Sequence, residues 1–217
     1  MSAQYLLENV SDRYKLGSRF IDALCGIELE IRQGEFLAIA GPSGSGKTTL
    51  LNLLGLLDRP WDGTIRYNGK DISNLSERER TRVRREQIGF IFQSFNLIPT
   101  LTAYENVEYF LLKRGVTMAQ VHARVFQVLE AVGISDQASN RPYDMSGGQR
   151  QRVAIARALV HNPRGVIGLF PRLGLQSILA VGSRTVIGQG EVVDGIAEAR
   201  FFDQLTYVED GDLHQGA

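Results

Sequence analysis

Gly41-Pro-Ser-Gly-Ser-Gly-Lys47-Thr48 constrains this chain more than any other stretch of it. It fits G-x-x-x-x-G-K-[ST] throughout. The run before it, Phe36 to Ala40, is short and apolar, as a buried strand requires. The run after it carries Leu50, Leu51, Leu53 and Leu54. Strand, glycine-rich loop, helix is therefore the predicted order. Each residue type in the loop has a chemical reason. Gly41, Gly44 and Gly46 let the backbone curl, so that successive N–H groups aim at phosphate oxygens. A helix starting near Gly46 adds its positive end. Lys47 is a point cation for the β- and γ-phosphates, and the Thr48 hydroxyl is a ligand for Mg²⁺. Thr49 and the backbones of Ser43 and Ser45 offer further donors, and Pro42 completes the loop. The pattern implies a nucleoside triphosphate on a P-loop α/β core.

The rest of the chain sets limits. Its 217 residues predict a single domain over 1–217. Lysine plus arginine is 24 and aspartate plus glutamate is 24, so the formal net charge is zero. Such a chain has no global attraction for nucleic acid or for an anionic membrane, and nucleic acid is not an expected partner. Cys25 is the sole cysteine and forms no internal disulfide. The N-terminus lacks the basic-then-apolar pattern of a signal peptide. The longest apolar stretch, Leu50 to Leu57, is interrupted by Asn52 and Gly55. It falls short of the roughly 20 residues a membrane helix needs. The chain is expected to be soluble by itself, with any membrane role supplied by a partner.

Local patterns divide the chain. Ile27, Leu29 and Ile31 alternate with Glu28, Glu30 and Arg32, which predicts a half-buried strand. Thr64–Tyr67, Asn68-Gly69 and Lys70–Ile72 predict a hairpin. Ser76/Glu79, Thr102/Glu105 and Thr117/Gln120 resemble capping boxes, so 76–160 reads mainly as helices. Val121, Val125, Val128, Leu129 and Val132 repeat at helical spacing, with Gly133 as the stop. The arginine- and glutamate-rich span 78–86 reads as a solvated helix face. Beyond 165, glycines separate short apolar runs, and Leu205–Leu213 reads as a strand entering a turn at Asp210-Gly211. His122, His161 and His214 read as surface or packing residues.

A second motif is Met145-Ser146-Gly147-Gly148-Gln149-Arg150-Gln151-Arg152. It resembles the signature sequence of ATP-binding-cassette (ABC) ATPases, with Met where Leu is commoner. Between the motifs, Ile88-Gly-Phe-Ile-Phe-Gln93 resembles the Q-loop of that family. Phe95 to Val107, Gly55 to Pro60 and Asn140 to Pro142 resemble its lipoprotein-releasing and macrolide-efflux branch. Tyr14 stands where the family stacks an aromatic on adenine. The resemblance covers 4–164. It implies a P-loop core with an antiparallel β-subdomain and a helical subdomain around 94–150. It also implies a head-to-tail dimer, homo- or heteromeric, with ATP between Lys47 of one subunit and Ser146, Gly147, Gly148 and Gln149 of the other. Gln93 would touch Mg²⁺ or the attacking water. The whole would be an ATP-binding subunit that couples ATP hydrolysis to transmembrane permease subunits. It would sit in the cytoplasm, peripheral to the inner membrane through those partners.

The family next requires an apolar strand ending in Asp-Glu. Here the sequence reads Gly165-Val-Ile-Gly-Leu-Phe170-Pro171. Without gaps, Leu169 and Phe170 occupy the two acidic places, and neither binds a cation or accepts a proton. Gln176 falls where the D-loop aspartate belongs, and Gly188 to Gly195 contains no switch histidine. The familiar pattern returns at Ala197 to Leu213. Three readings account for the atypical segment 165–196: a lineage that kept ATP binding and lost hydrolysis, a frame-shifted stretch, or acids supplied by another loop. The second predicts that the gene's other two frames encode an Asp-Glu strand and a histidine loop across 165–196. Translating those frames checks it, and their absence rules it out.

A hydrolysis-deficient, regulatory nucleotide-binding module is thus the alternative to an active ATPase. A simple P-loop kinase is a third reading, and the Ser146–Gln149 segment argues against it.

Overall fold

The computed structural model describes residues 3–39, 42, 44–92, 94–112, 116–168 and the backbone of 205–208. The first half builds a β-layer. Strand β1 (Ala3–Leu16) pairs antiparallel with β2 (Arg19–Arg32), and Gly17 takes a left-handed turn conformation, φ 62°, between them. On the other side of β1 lies β4 (Asp62–Tyr67), followed by β5 (Lys70–Asp71), giving the order β2-β1-β4-β5. The β4–β5 turn uses Asn68 and Gly69, both at positive φ, as a tight hairpin between twisted strands requires. Alternation predicted the inward face of β2 correctly, since Ile27 and Ile31 are buried while Glu28 and Glu30 face solvent.

Two parallel pairs complete the sheets. Strand β3 (Phe36–Ile39) runs beside β8 (Leu205–Val208), and β6 (Ile88–Ile91) runs beside β7 (Gly165–Gly168). The predicted turn at Asp210-Gly211 lies outside the described residues.

The helices start where the sequence says they should. Helices α2 (Glu77–Gln87), α3 (Ala103–Glu108) and α4 (Met118–Ala131) each carry a complete capping box, from Ser76/Glu79, Thr102/Glu105 and Thr117/Gln120. Helix α5 (Gly147–Leu159) carries a fourth, from Ser146/Gln149. Each box satisfies N–H groups that the helix cannot satisfy itself. Helix α4 ends at Gly133, φ 67°, as predicted.

The buried side chains form two clusters. One joins the β-layer to helix α1 (Lys47–Leu54) and includes Leu7, Ile31, Leu50, Leu53 and Leu54. The other joins α3, α4 and α5 through Val107, Val125, Leu129 and Val153. Strand β6 stands between them, with Ile88 in the first cluster and Ile91 in the second. Its Gly89 is the closest point: a Cβ there would lie 2.4 Å from the Ala158 carbonyl oxygen of α5.

The span 78–86 departs from its reading as a wholly solvated face. Glu77 holds both Arg84, at 2.7 Å, and Arg80. The two guanidiniums in turn donate to Leu56 O and Leu57 O just beyond the end of α1. Leu56 and Leu57 lie past the last turn of α1, so arginines one and two turns along α2 tie that helix to the segment leaving α1. The hydrogen bond from Arg84, with both guanidiniums nearby, holds the Glu77 carboxyl below its ordinary range.

Gly89→Ala should destabilise the fold by about 1–3 kcal/mol, because backbone cannot retreat from an added methyl as a flexible side chain can. Thermal denaturation should show a clear fall in Tm.

Candidate functional site

Helix α1 differs from the other described α-helices. Its N-cap is Gly46, and no side chain caps its first turn. The N–H groups that four other helices satisfy internally are therefore left facing the loop. That is the physical basis for binding an anion at this end.

Gly46 is left-handed, φ 85°, and so is Gly44, φ 89°. For Gly46 the constraint is double. A Cβ there would meet the Ala23 carbonyl oxygen at 2.4 Å and Leu24 Cδ2 at 2.9 Å. Strand β2 thus backs the loop directly, and only glycine fits. Sequence spacing called for glycine at 46 but gave no sign that Ala23 and Leu24 stand behind it.

Lys47 is buried, and its stem lies among the loop atoms. Its ammonium donates to the Pro42 carbonyl and, at 2.8 Å, to Ser45 Oγ. The cation is therefore held over the loop by polar oxygen atoms and not by a carboxylate. Among the described residues no acid pairs with this lysine, so its charge is available to an anion arriving at the loop. Thr48 is exposed at the first turn of α1. Its neighbour Thr49 is buried, and its hydroxyl is bonded to the Tyr14 hydroxyl of β1. This pairing was not legible in the sequence. It places the Tyr14 ring beside the first turn of α1 and engages the Thr49 hydroxyl. Gly41, Ser43 and Gln93 lie outside the described residues.

The second motif is placed on another element. Met145 packs into the helical cluster, which shows why an apolar residue belongs there and why Met can replace Leu. Ser146 Oγ accepts from Gln149 N at 3.2 Å, and Gln149 Oε1 accepts from Ser146 N at 2.7 Å. Gly147 and Gly148 are exposed, and a Cβ added to either meets nothing within 4 Å. Nothing in the described packing of this chain requires glycine at either place.

Arg157, near the other end of α5, is a further buried group that the motifs did not single out. Its guanidinium donates to Asn96 O and, at 2.6 Å, to Phe95 O. Both residues sit at positive φ, Phe95 at 61° and Asn96 at 47°. Burial lowers the Arg157 pKa, yet the carbonyls satisfy the cation. The segment directly after Gln93 is so fixed to the helix that begins at Gly147. His122 packs with Tyr104 and Phe126, and a His161 ring nitrogen meets the Ile88 carbonyl, as packing residues do. Among the described residues, no group of three His, Cys, Asp or Glu could hold a metal ion. No described helix is long and apolar enough to cross a membrane.

A glycine loop between a strand and an uncapped helix, with a buried lysine folded over it, defines a nucleotide-binding P-loop protein of α/β class. The family pattern described as ABC transporter matches residues 24–167. The chain belongs to the ABC transporter family, among its ATP-binding subunits. It is 41% identical over 216 residues to the uncharacterized ABC transporter ATP-binding protein YvrO of Bacillus subtilis, covering 95% of this chain and 94% of that one. It is 45% identical over 171 residues to the macrolide export ATP-binding/permease protein MacB of Marinobacter nauticus, covering 79% of this chain and 27% of that longer protein. The ABC transporter ATP-binding protein MJ0796 of Methanocaldococcus jannaschii is also similar, 38% identical over 222 residues and covering 96% of this chain and 94% of that one. A dimeric structure of MJ0796 matches at TM-score 0.74 and 35% identity over 95% of each chain. A dimeric post-hydrolysis state of MJ0796 bound to ADP and Pi matches at TM-score 0.72 and 42% identity, covering 79% of this chain and 75% of that one. The family match stops at Ile167, two residues before Leu169 and Phe170.

Gly46→Ala should lower nucleotide affinity by more than tenfold, through both left-handed strain and the clash with Ala23. Gly148→Ala should leave Tm unchanged or higher. Titration with a fluorescent ATP analogue checks the first and thermal denaturation the second.

Proposed function

We propose that this chain is the ATP-binding subunit of a bacterial ABC transporter, one ATP-binding domain over 1–217 with a helical lobe at about 94–150. The observation that carries this reading is the Gly46 loop with Lys47 folded over it. In that reading Gly41 to Thr49 bind the phosphates through backbone N–H groups and Lys47, and Tyr14 stacks on adenine. The open pair Gly147 and Gly148, with Ser146 and Gln149, meets the γ-phosphate of a nucleotide held by a second subunit. Glycine there serves the partner's ligand, which is why this chain's own packing leaves it room. ATP then joins two subunits, and loss of the γ-phosphate weakens the joint. The ADP and Pi of the dimeric relative support that geometry.

Mg²⁺ fits the oxygen donors at the loop. Thr48 and Gln93 would hold it together with the phosphates, and the ion would neutralise charge on the β- and γ-phosphates. The subunit would work at the cytoplasmic face of the inner membrane, through separate transmembrane permease subunits. A relative fused to its permease supports that partner class.

A second reading has its own observation. Leu169 and Phe170 stand where the resemblance places the metal-binding and water-polarising acids. Positioned general-base catalysis is worth about 10²–10⁴-fold. Binding rests on Lys47, Thr48 and loop amides, which are intact. This reading makes the chain a nucleotide-gated module that binds ATP without turnover.

Phosphate release from Mg-ATP, measured beside Lys47→Ala, separates the two. Turnover well above the control supports the active ATPase. Turnover equal to the control, with ATP still bound, supports the silent module. In either case Gly148→Asp should abolish ATP-dependent dimerisation in analytical ultracentrifugation and leave binding to the single subunit intact.

A further inference from the structure

Strand β4 supports β1 only as far as Ser11, which pairs with Asp62. Beyond it, among the described residues, β1 pairs with β2 alone: Arg13 faces Asp22, Tyr14 faces Ile21, and Leu16 faces Arg19. The part of the β1–β2 hairpin that carries Tyr14 is therefore a two-stranded tip. Such a ribbon is marginally stable unless something else holds it. Leu16, Phe20 and Ile21 on it are all exposed, so no core does.

Side chains of successive strand residues leave on opposite faces. Tyr14 leaves toward α1, where its hydroxyl meets Thr49. Arg13 leaves on the other face. Its guanidinium lies 3.5 Å from the Trp61 ring centroid and 4.5 Å from that of Phe20. The two rings are 6.3 Å apart and tilted by 48°, which makes a wedge that the cation fills. Arg13 Nε is buried and has no hydrogen-bond partner among the described residues, so ring faces are what this part of the guanidinium contacts. Trp61 is itself anchored, because its N–H donates to Ser11 O at 2.9 Å. It belongs to the segment that follows α1 directly.

We infer that Arg13, wedged between Trp61 and Phe20, is a positioning residue that holds the hairpin tip so that the Tyr14 ring faces the nucleotide base. The tip thus has two tethers: Tyr14 to Thr49 of the phosphate-loop helix, and Arg13 to Trp61, which directly precedes β4 and is bonded to Ser11 of β1. The ring is thereby located relative to the loop that holds the phosphates, and not merely relative to the β-layer. The stack makes no contact with the nucleotide. It acts by keeping Tyr14 from being averaged over the motions of a free ribbon, and preorganisation of this kind strengthens binding by cutting the ordering cost. This inference rests on the reading of Tyr14 as the adenine platform.

The test compares ATP with inorganic tripolyphosphate, which carries the phosphates and no base. Affinity for each is measured by isothermal titration calorimetry on the full chain. Tyr14→Ala should weaken ATP and leave tripolyphosphate unchanged. Arg13→Met should weaken ATP by about 3- to 10-fold, the size of a partly desolvated cation–π contact, and also leave tripolyphosphate unchanged. Arg13→Lys, which restores a cation to the wedge, should recover most of that loss. Adding Arg13→Met to Tyr14→Ala should cost nothing more, because there is no ring left to position. Phe20→Leu opens the wedge from the other side and should repeat the selective loss if Arg13→Met does not fold. Equal weakening of both ligands, or ATP affinity unmoved by Arg13→Met and Phe20→Leu while Tyr14→Ala lowers it, overturns the inference and spares the adenine reading. ATP affinity unmoved by Tyr14→Ala overturns the adenine reading itself, and the inference with it.

Discussion

The site depends on one close approach. The backbone of Gly46 lies against the Ala23 carbonyl of β2 so tightly that an added Cβ would sit 2.4 Å from its oxygen. That contact sets where the phosphate loop ends and α1 begins. It also fixes the direction in which the first uncapped N–H groups of α1 point. Four other helices close their first turns with side chains, and α1 leaves its own open to the loop. A helix end left in this state carries a standing deficit of acceptors, which a phosphate can meet. The buried Lys47 adds charge at the same place, and among the described residues no carboxylate pairs with it.

Several devices then tie other parts of the molecule to that helix. Arg80 and Arg84 reach from α2 to the carbonyls beyond its far end. Since α2 runs straight into β6, the same contacts hold the strand that leads toward Gln93. Phe90 of that strand packs against Gly55, at the end of α1, where a Cβ would meet its ring at 2.8 Å. On the far side of β6, Gly89 lets α5 approach, and Arg157 of α5 holds the carbonyls of residues 95 and 96. The phosphate loop, the strand before Gln93 and the signature helix are thus linked by backbone contacts and buried cations. Links of this type are stiff, because close-packed backbone and paired charges have few alternative arrangements.

Hydrolysis is a separate matter from this framework. Binding draws on groups in the loop, whereas turnover draws on acids that the family places after β7. The sequence departs from the family there, at Leu169 and Phe170, and the family match ends at 167. A chain can therefore keep the architecture of an ATP-binding cassette while the chemistry of its γ-phosphate is an independent question. Gly147 and Gly148 show the same separation from another angle. The described residues of their own chain leave them open space, and the proposed role for them needs a second subunit.

The sequence by itself determined the phosphate loop, the signature segment, the capping boxes at 76, 102 and 117, and the inward face of β2. These are local: each rests on spacing along one element or on the φ that a single residue type permits. Only the tertiary structure decided that Ala23 stands behind Gly46, that Thr49 serves Tyr14, that Arg13 stacks between Phe20 and Trp61, and that Arg80, Arg84 and Arg157 spend their charges on carbonyls. The arginine-rich span 78–86 looked solvated because charge at helical spacing carries no mark of what it faces. Its role became visible once α1 was placed against α2. A hydrogen bond or a stacked cation between residues far apart in sequence leaves no period to read, since it depends on where two elements meet.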